Sequence, residues 1–215
     1  MRRQAKNRLA LRPRATSSKS SSLSKDHMAD LNTLNVLFED ELRDLYDAEK
    51  QILKALPKII RAVTNDDLRK ALSAHLEETR GHVVRLEQAF ESLDLKPKGK
   101  HCAGMAGILE EGSELLEEDG DEGVLDAAFI AGCQRVEHYE IVAYGCLMAW
   151  AKLLGYQEAL NLLKANEQEE KAADAKLSKL AESTVNPQAR SAAESDDDET
   201  DKASARARRP QTARH

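Results

Sequence analysis

Residues 129–147 read FIAGCQRVEHYEIVAYGCL, an apolar stretch that carries two glutamates near its middle. Steps of three and four residues bring one set of these side chains to a single face of an α-helix. That face consists of Phe129, Cys133, Glu137, Glu140, Tyr144 and Leu147. Its apolar ends predict burial, whereas an ionised carboxylate is costly to bury in an apolar core. The stretch therefore predicts a core helix whose carboxylates need cations or protons, unless they face outward.

Three other segments with helical periodicity carry a similar polar interruption near the middle. The four segments cover about residues 30–63, 64–93, 124–154 and 157–183. The predicted core faces of the other three are Leu37, Glu41, Asp44 and Ala48; Leu72, His75, Glu78, His82 and Leu86; and Leu163, Glu167, Glu170, Asp174 and Leu177. The spacing of polar residues in the first two segments recurs in the last two. Such an internal duplication would gather four polar clusters around one axis.

The lengths of the connections select the fold. The first two segments, like the last two, are separated by only a few residues, which predicts two antiparallel hairpins. About 30 residues join the hairpins and include a short amphipathic helix near residues 105–118. We therefore expect an all-α, ferritin-like four-helix bundle over residues 28–186. Residues 1–27 and 187–215 are rich in polar and charged residues and lack periodicity, so both ends are predicted to be disordered.

The charge distribution limits the possible partners. The net charge is -6, but residues 1–27 hold eight Lys/Arg and one Asp, so the bundle itself is strongly acidic. An acidic bundle suits cations and argues against nucleic-acid binding by the bundle. The basic ends could contact nucleic acid weakly, although a solvated tail is the favoured interpretation. No apolar run reaches the roughly 20 residues needed to cross a membrane. Three cysteines without a C-x-x-C pair favour the reducing cytoplasm.

The polar residues on the four faces have the chemistry of a metal site. Oxygen-rich ligands with one or two imidazoles suit iron or manganese, with zinc as the chief competitor. Because paired carboxylates can bridge two ions, the predicted cofactor is a pair of metal ions. Taken singly, Glu41 or Glu167 could lie on a solvated helix flank, and His75 or His82 could be an ordinary core histidine. Matching clusters on four helices favour the metal interpretation.

Five strings give the chain a resemblance to a known family. They are DLYDAEKQ at 44–51, ALP at 55–57, HLEET at 75–79, VEHYEI at 136–141 with Tyr144-Gly145 following, and EEKAAD at 169–174. Through these strings, residues of about 30–184 resemble the YciE/YciF family of ferritin-like metal-binding proteins. The resemblance implies a four-helix bundle, a homodimer and a rubrerythrin-like dimetal centre in a bacterial stress-response protein.

The resemblance also implies a ligand set. Carried over by position, the implied ligands are Asp44, His75, Glu78, Glu137, Glu140 and Glu170. Additional candidates are Glu41, His82, Glu167 and Asp174, with Tyr144 hydrogen-bonding a ligand or supplying an electron. Glu49 is expected to lie off the seam, paired with a lysine or at the dimer contact. The pattern departs from the Glu-x-x-His motif usual on two helices of such bundles. Here the second segment has the reverse order and the fourth has no histidine.

Three functions are compatible with these expectations. The first is a dimetal protein that acts on O2 or peroxide and that, if it is an enzyme, is a metal-dependent oxidoreductase. The second is a non-enzymatic helical dimer or scaffold, whose polar core is vestigial or binds one structural ion. The third is iron storage, which requires a shell of many subunits that no feature of the sequence favours.

Overall fold

Five α-helices form the part of the protein that the computed structural model describes, residues 31–191. They are α1 (Leu34–Ala62), α2 (Asp66–Glu91), α3 (Ala103–Glu114), α4 (Glu122–Leu154) and α5 (Gln157–Leu180). After α5 the chain passes through a π-helical segment, Ala181–Val185, and stays helical to residue 191.

The helices are arranged as two hairpins joined by a crossover, which confirms the predicted fold. α1 packs against α2 and α4, and α5 packs against the same two helices, so the four long helices surround one core. The short helix α3 belongs to the crossover and packs against α1 and α4. No helix within residues 31–191 is long and apolar enough to cross a membrane.

Individual capping and turn residues determine where the helices begin and end. The side chain of Asn65 caps α2 by accepting the backbone N–H groups of its first turn. The carboxylate of Asp126, buried on α4, accepts the backbone N–H groups of Thr64 and Asn65 at 2.9 and 2.7 Å and so ties the α1–α2 turn to α4. α4 ends at Gly155. Its φ of 77° lies in the left-handed region, which glycine adopts at little energetic cost because it has no β-carbon.

The bundle extends beyond its predicted carboxyl end. Residues 187–191 are helical, and the Asn65 side chain donates a hydrogen bond of 3.3 Å to Gln188. The prediction of disorder for residues 1–27 and for 192–215 lies outside the described residues.

The buried face of α1 differs from the predicted one by a single position. The buried series follows alternating steps of four and three residues and consists of Phe38, Leu42, Leu45, Glu49, Ile52 and Leu56. A shift of one residue rotates the face by about 100° around the helix. As a result Glu41 and Asp44 lie beside the core, and Glu49, which was expected off the seam, lies inside it.

Candidate metal centre

Six ionisable side chains meet in the centre of the bundle, each from near the middle of its helix. They comprise four carboxylates and two imidazoles, and none is more than 5% exposed. The members of this central cluster are Glu49 on α1, His75 and His82 on α2, Glu137 and Glu140 on α4, and Glu170 on α5. Apolar core residues lie on both sides of the cluster along the bundle. Burial on this scale requires that the charges be balanced within the cluster.

Glu170 belongs to two groups of potential ligands. One group is Glu49, His82 and Glu170, the other is His75, Glu137 and Glu170, and within each group the ligand atoms lie within 4.8 Å of one another. Glu170 Oε1 is 2.7 Å from His82 Nδ1, whereas Glu170 Oε2 is 3.7 Å from His75 Nε2. The two oxygens of one carboxylate therefore face different histidines, which is the arrangement a bridging ligand requires.

Both histidines are backed by a carboxylate on the side that faces away from the cluster. His82 Nε2 lies 2.9 Å from Glu169 Oε2, and His75 Nδ1 lies 3.3 Å from Glu78 Oε2. When the outer nitrogen donates its proton to such a carboxylate, the inner nitrogen carries a lone pair directed into the cluster. A carboxylate behind an imidazole is the usual partner of a metal-ligating histidine, because it fixes the tautomer and the ring orientation.

The cluster is poorly satisfied by hydrogen bonds alone. Six buried atoms have no hydrogen-bond partner among the described residues when His82 Nδ1 carries no proton. They are Glu49 Oε2, Glu137 Oε2, Glu140 Oε1, both oxygens of Glu170, and His82 Nδ1 itself, which lies 2.7 Å from Glu170 Oε1. Buried polar atoms without partners are rare, and their concentration at one point marks a site that could hold a cation. Because these atoms are carboxylate oxygens and one imidazole nitrogen, the residues present fit metal ions.

Protons can balance part of the charge when metal is absent. Burial and the neighbouring carboxylates raise the pKa of Glu137 and of Glu140 well above the usual range. Burial lowers the pKa of His82, but the carboxylates of Glu170 and Glu49 outweigh burial and raise it to about 10. Burial alone would raise the pKa of Glu170, but His82, Glu137 and His75 together outweigh burial and lower that pKa, which keeps the carboxyl ionised. Any metal ion bound here would therefore compete with protons for the same atoms.

A hydrogen-bonded chain connects the cluster to the bundle surface. The hydroxyl of Tyr144 donates to Glu49 and accepts a bond of 2.8 Å from the side-chain amide of Asn166. Burial and the nearby carboxylates raise the pKa of Tyr144, so the hydroxyl keeps its proton. Arg85 donates both to Asn166 and to Glu169, the partner of His82. These bonds hold Glu49 and His82 in their orientations.

The structure separates two of the implied ligands from the central cluster. Asp44 is half-buried on another side of α1 and accepts a hydrogen bond of 3.1 Å from the hydroxyl of Tyr139. The cause is the register of α1, in which the inward position belongs to Glu49. The side chain of Glu78 is 46% exposed and orients His75 from outside. Thr79 takes the inward position on that turn and is 1% exposed.

Of the additional candidates, one lies inside the central cluster and the others lie outside it. His82 lies inside the cluster, while Glu41 is only half-buried beside Asp44. Glu167 lies on the flank of α5, where Lys171 pairs with it at 2.8 Å, and Asp174 accepts a bond of 2.9 Å from Gln134. The structure thus gathers His75, Glu137, Glu140 and Glu170 from the implied set, and His82 from the additional one.

Three residues that complete the arrangement were not predicted from the sequence: Glu49, Asn166 and Glu169. The large apolar side chains spaced around Glu49 were the signal that could have identified it. Asn166 and Glu169 carried no comparable signal. Asn166 is an amide on a helix rich in polar residues, and the role of Glu169 depends on His82, 87 positions away in the chain.

The fold and the central cluster together define the class of protein: an all-α bundle of four long helices, two hairpins joined by a crossover, with a buried carboxylate–histidine cluster. The chain belongs to the family described as Domain of unknown function (DUF892), whose profile matches residues 33–190. It is 46% identical over 160 residues to Protein YciF of Escherichia coli K12, which covers 74% of this chain and 96% of that protein.

Solved structures agree with this assignment. The crystal structure of the E. coli stress protein YciF has a TM-score of 0.70 and 46% identity, over 73% of this chain and 99% of that one. YcfI from Rhodopseudomonas palustris, which has been proposed to be a structural protein, has a TM-score of 0.69 and 47% identity, over 71% and 97%. A protein from Xanthomonas campestris, with 18% identity and a TM-score of 0.59 over 72% and 95%, shares the fold.

Proposed function

We propose that the protein is a dimetal carboxylate protein that binds two iron or manganese ions and acts on O2 or peroxide. The observation that carries the proposal is Glu170, whose two oxygens face the histidines of two separate ligand groups. Four glutamates and two histidines are also the donor set of di-iron bundles. The distribution differs here, because both histidines lie on α2 and two of the glutamates lie on α4.

Charge balance supports two ions rather than one. The four ionised carboxylates of the central cluster carry a charge that two divalent cations would neutralise, with both histidines neutral. One divalent cation would leave two buried negative charges, which is costly without protons. Carboxylate oxygens with imidazole nitrogens suit iron and manganese, whereas zinc favours four-coordinate sites with fewer ligands.

Bound iron or manganese would supply the redox chemistry for O2 or peroxide, and the protein's own residues would hold and shield the ions. Glu78 and Glu169 orient the two histidines, and Tyr144 and Asn166 position Glu49. The apolar residues around the cluster exclude bulk water, which strengthens electrostatic interactions inside it. A relative described as a stress protein is consistent with a role in handling oxidants.

A small cavity offers a route to the cluster. It has a volume of about 80 Å³, lies between α2, α4 and α5, and has His75 and Glu137 in its wall. One water molecule needs only ~10–15 Å³ of such space. The cavity is therefore large enough for O2, peroxide or a hydrated ion.

The metal content of the full chain tests the proposal. After reconstitution with iron(II) or manganese(II), we expect about two ions per chain by elemental analysis. Iron-loaded protein should also change its visible absorbance when O2 or hydrogen peroxide is added. Binding of metal without any reaction would remove the oxidant part of the proposal.

A structural role is the second candidate, because a relative is proposed to be a structural protein and protons can offset part of the cluster charge. A metal content near zero, with the fold intact, would favour this role and contradict the dimetal proposal. A content near one would favour a single structural ion.

A further inference from the structure

A second, larger cavity opens on another side of the central cluster. It has a volume of about 390 Å³, is bounded by α1, α2, α3 and α4, and is predominantly apolar. Ile52 and Ile59 of α1, Leu109 of the crossover helix α3, and Phe129 and Val136 of α4 form part of its wall. This volume lies within the ~300–1,000 Å³ that small-molecule sites usually occupy. An apolar organic molecule therefore fits this cavity.

The inner end of the cavity reaches the central cluster. His75 and Glu137, which form one of the two ligand groups with Glu170, lie in the cavity wall. Both are almost fully buried, so they mark the deep side of the cavity rather than its mouth. His82 and Glu49, which belong to the other ligand group, are not part of the wall. A bound molecule would thus approach the cluster from the side of His75.

The outer part of the cavity carries positive charge. Lys54 and Lys58 lie one turn apart on α1, both exposed, and both contribute to the wall. Neither lysine forms an ion pair with any residue in the range 31–191. One exposed carboxylate, Glu110 of α3, lies in the same wall, so the two lysines leave a net positive rim. A positive rim above an apolar cavity suits a molecule with an anionic head and an apolar chain.

We propose that this cavity binds an anionic amphiphile of the fatty-acid type, with its head at Lys54 and Lys58 and its chain directed toward His75 and Glu137. Binding itself is independent of metal. Any reaction of the bound molecule at the central cluster would rest on the proposed dimetal function.

Decanoate and the uncharged decanol are suitable probes, applied to the metal-free full chain in calorimetric titrations. We expect saturable binding of both, with decanoate the tighter ligand. Replacing both lysines by glutamine should weaken decanoate binding about tenfold and leave decanol binding within about twofold. Equal affinity of the two probes in the unaltered protein, or no effect of the lysine changes, would contradict the anionic head. No saturable binding of either probe would contradict the site.

Two glycines provide a matched pair of variants. A β-carbon added at Gly132, in the cavity wall, or at Gly107, outside it, meets no atom within 4 Å. Both are helical, a conformation that residues with a β-carbon adopt readily, so neither replacement by phenylalanine strains the backbone. Gly132→Phe should lower decanoate affinity at least tenfold and Gly107→Phe should leave it unchanged. Equal effects would place the probe elsewhere. A change in molecular mass in Gly132→Phe, without any probe binding to the unaltered protein, would instead assign this face to a second copy of the chain.

Nuclear magnetic resonance of the metal-free protein locates the apolar end of bound decanoate. Decanoate should shift the ring-proton signals of His75 and leave those of His82 in place, with assignments from His75→Gln and His82→Gln. Equal or absent shifts at His75 would contradict the proposed orientation. Binding that meets all these expectations in a protein that takes up no iron or manganese would retain the cavity site and remove the dimetal function.

Discussion

Among single residues, Glu49 is the glutamate that α1 contributes to the central cluster. Glu49 is fully buried and belongs to a ligand group with His82, whereas Glu41, two turns earlier on α1, is half-buried outside the cluster. Both are glutamates on the same helix, so they form a natural pair for comparison.

Replacing Glu49 by glutamine should remove one of the two expected ions, because the ligand group of Glu49, His82 and Glu170 loses a charged oxygen. Glu41→Gln should leave the metal content unchanged. Elemental analysis of both variants after identical loading makes the comparison. An unchanged content in Glu49→Gln would show that Glu49 is not a ligand.

The buried hydroxyl of Tyr144 is expected to stabilise the metal-free protein. Tyr144→Phe removes one buried hydrogen-bond partner of Glu49 and one of Asn166. A buried polar group that loses such a partner costs about 1–3 kcal/mol. We expect a loss of that size in the free energy of unfolding of the metal-free protein, measured by denaturant titration. The control is Tyr156→Phe, whose hydroxyl accepts an exposed bond from Asn35 and should matter little. Equal stability of the two variants would contradict the role assigned to Tyr144.

At the scale of helices, the sequence predicted α4 better than α1. Phe129 and Leu147 bracket the carboxylates of α4, and both are buried as expected. On α1, two neighbouring faces both contain apolar residues, and the position of one small residue, Ala48, was compatible with either. Hydrophobic periodicity therefore identified the helices, the hairpins and the crossover. It could not resolve a rotation of one position, nor contacts between distant helices such as that of Glu169 with His82.

The helices bury groups whose protonation links stability to pH. In the metal-free protein the folded state raises the pKa of His82 to about 10, from 6.5, and raises those of Glu137 and Glu140. The folded state thus binds more protons than the unfolded state between about pH 5 and 10, so stability should fall as the pH rises through this range. Glu170 has the opposite shift and matters only at acid pH, where its contribution is lost as the pH falls.

Thermal unfolding at pH 5, 7 and 9, with a chelator present, measures this dependence. We expect the midpoint to fall with increasing pH in the metal-free protein and to fall less after metal loading, because the ions replace the protons. A midpoint that rises from pH 5 to 9 in the metal-free protein would contradict the assigned pKa directions.

At the scale of the whole molecule, we propose that the protein is a symmetric dimer. Val142 and Leu153 of α4 are 64% and 77% exposed and would be covered in an interface, and the two-fold dimer is the commonest closed oligomer. Light scattering should report about twice the chain mass of 23.8 kDa. A monomer at micromolar concentration would contradict the dimer, and a particle of many subunits would favour iron storage.

In the proposed dimetal centre, two metal ions would share Glu170. Anomalous diffraction from crystals of the manganese- or iron-loaded protein would locate these ions. We predict two anomalous peaks about 3.5–4 Å apart, one near His82 and one near His75, with Glu170 between them. A single peak, or no peak within the central cluster of fully loaded crystals, would contradict it.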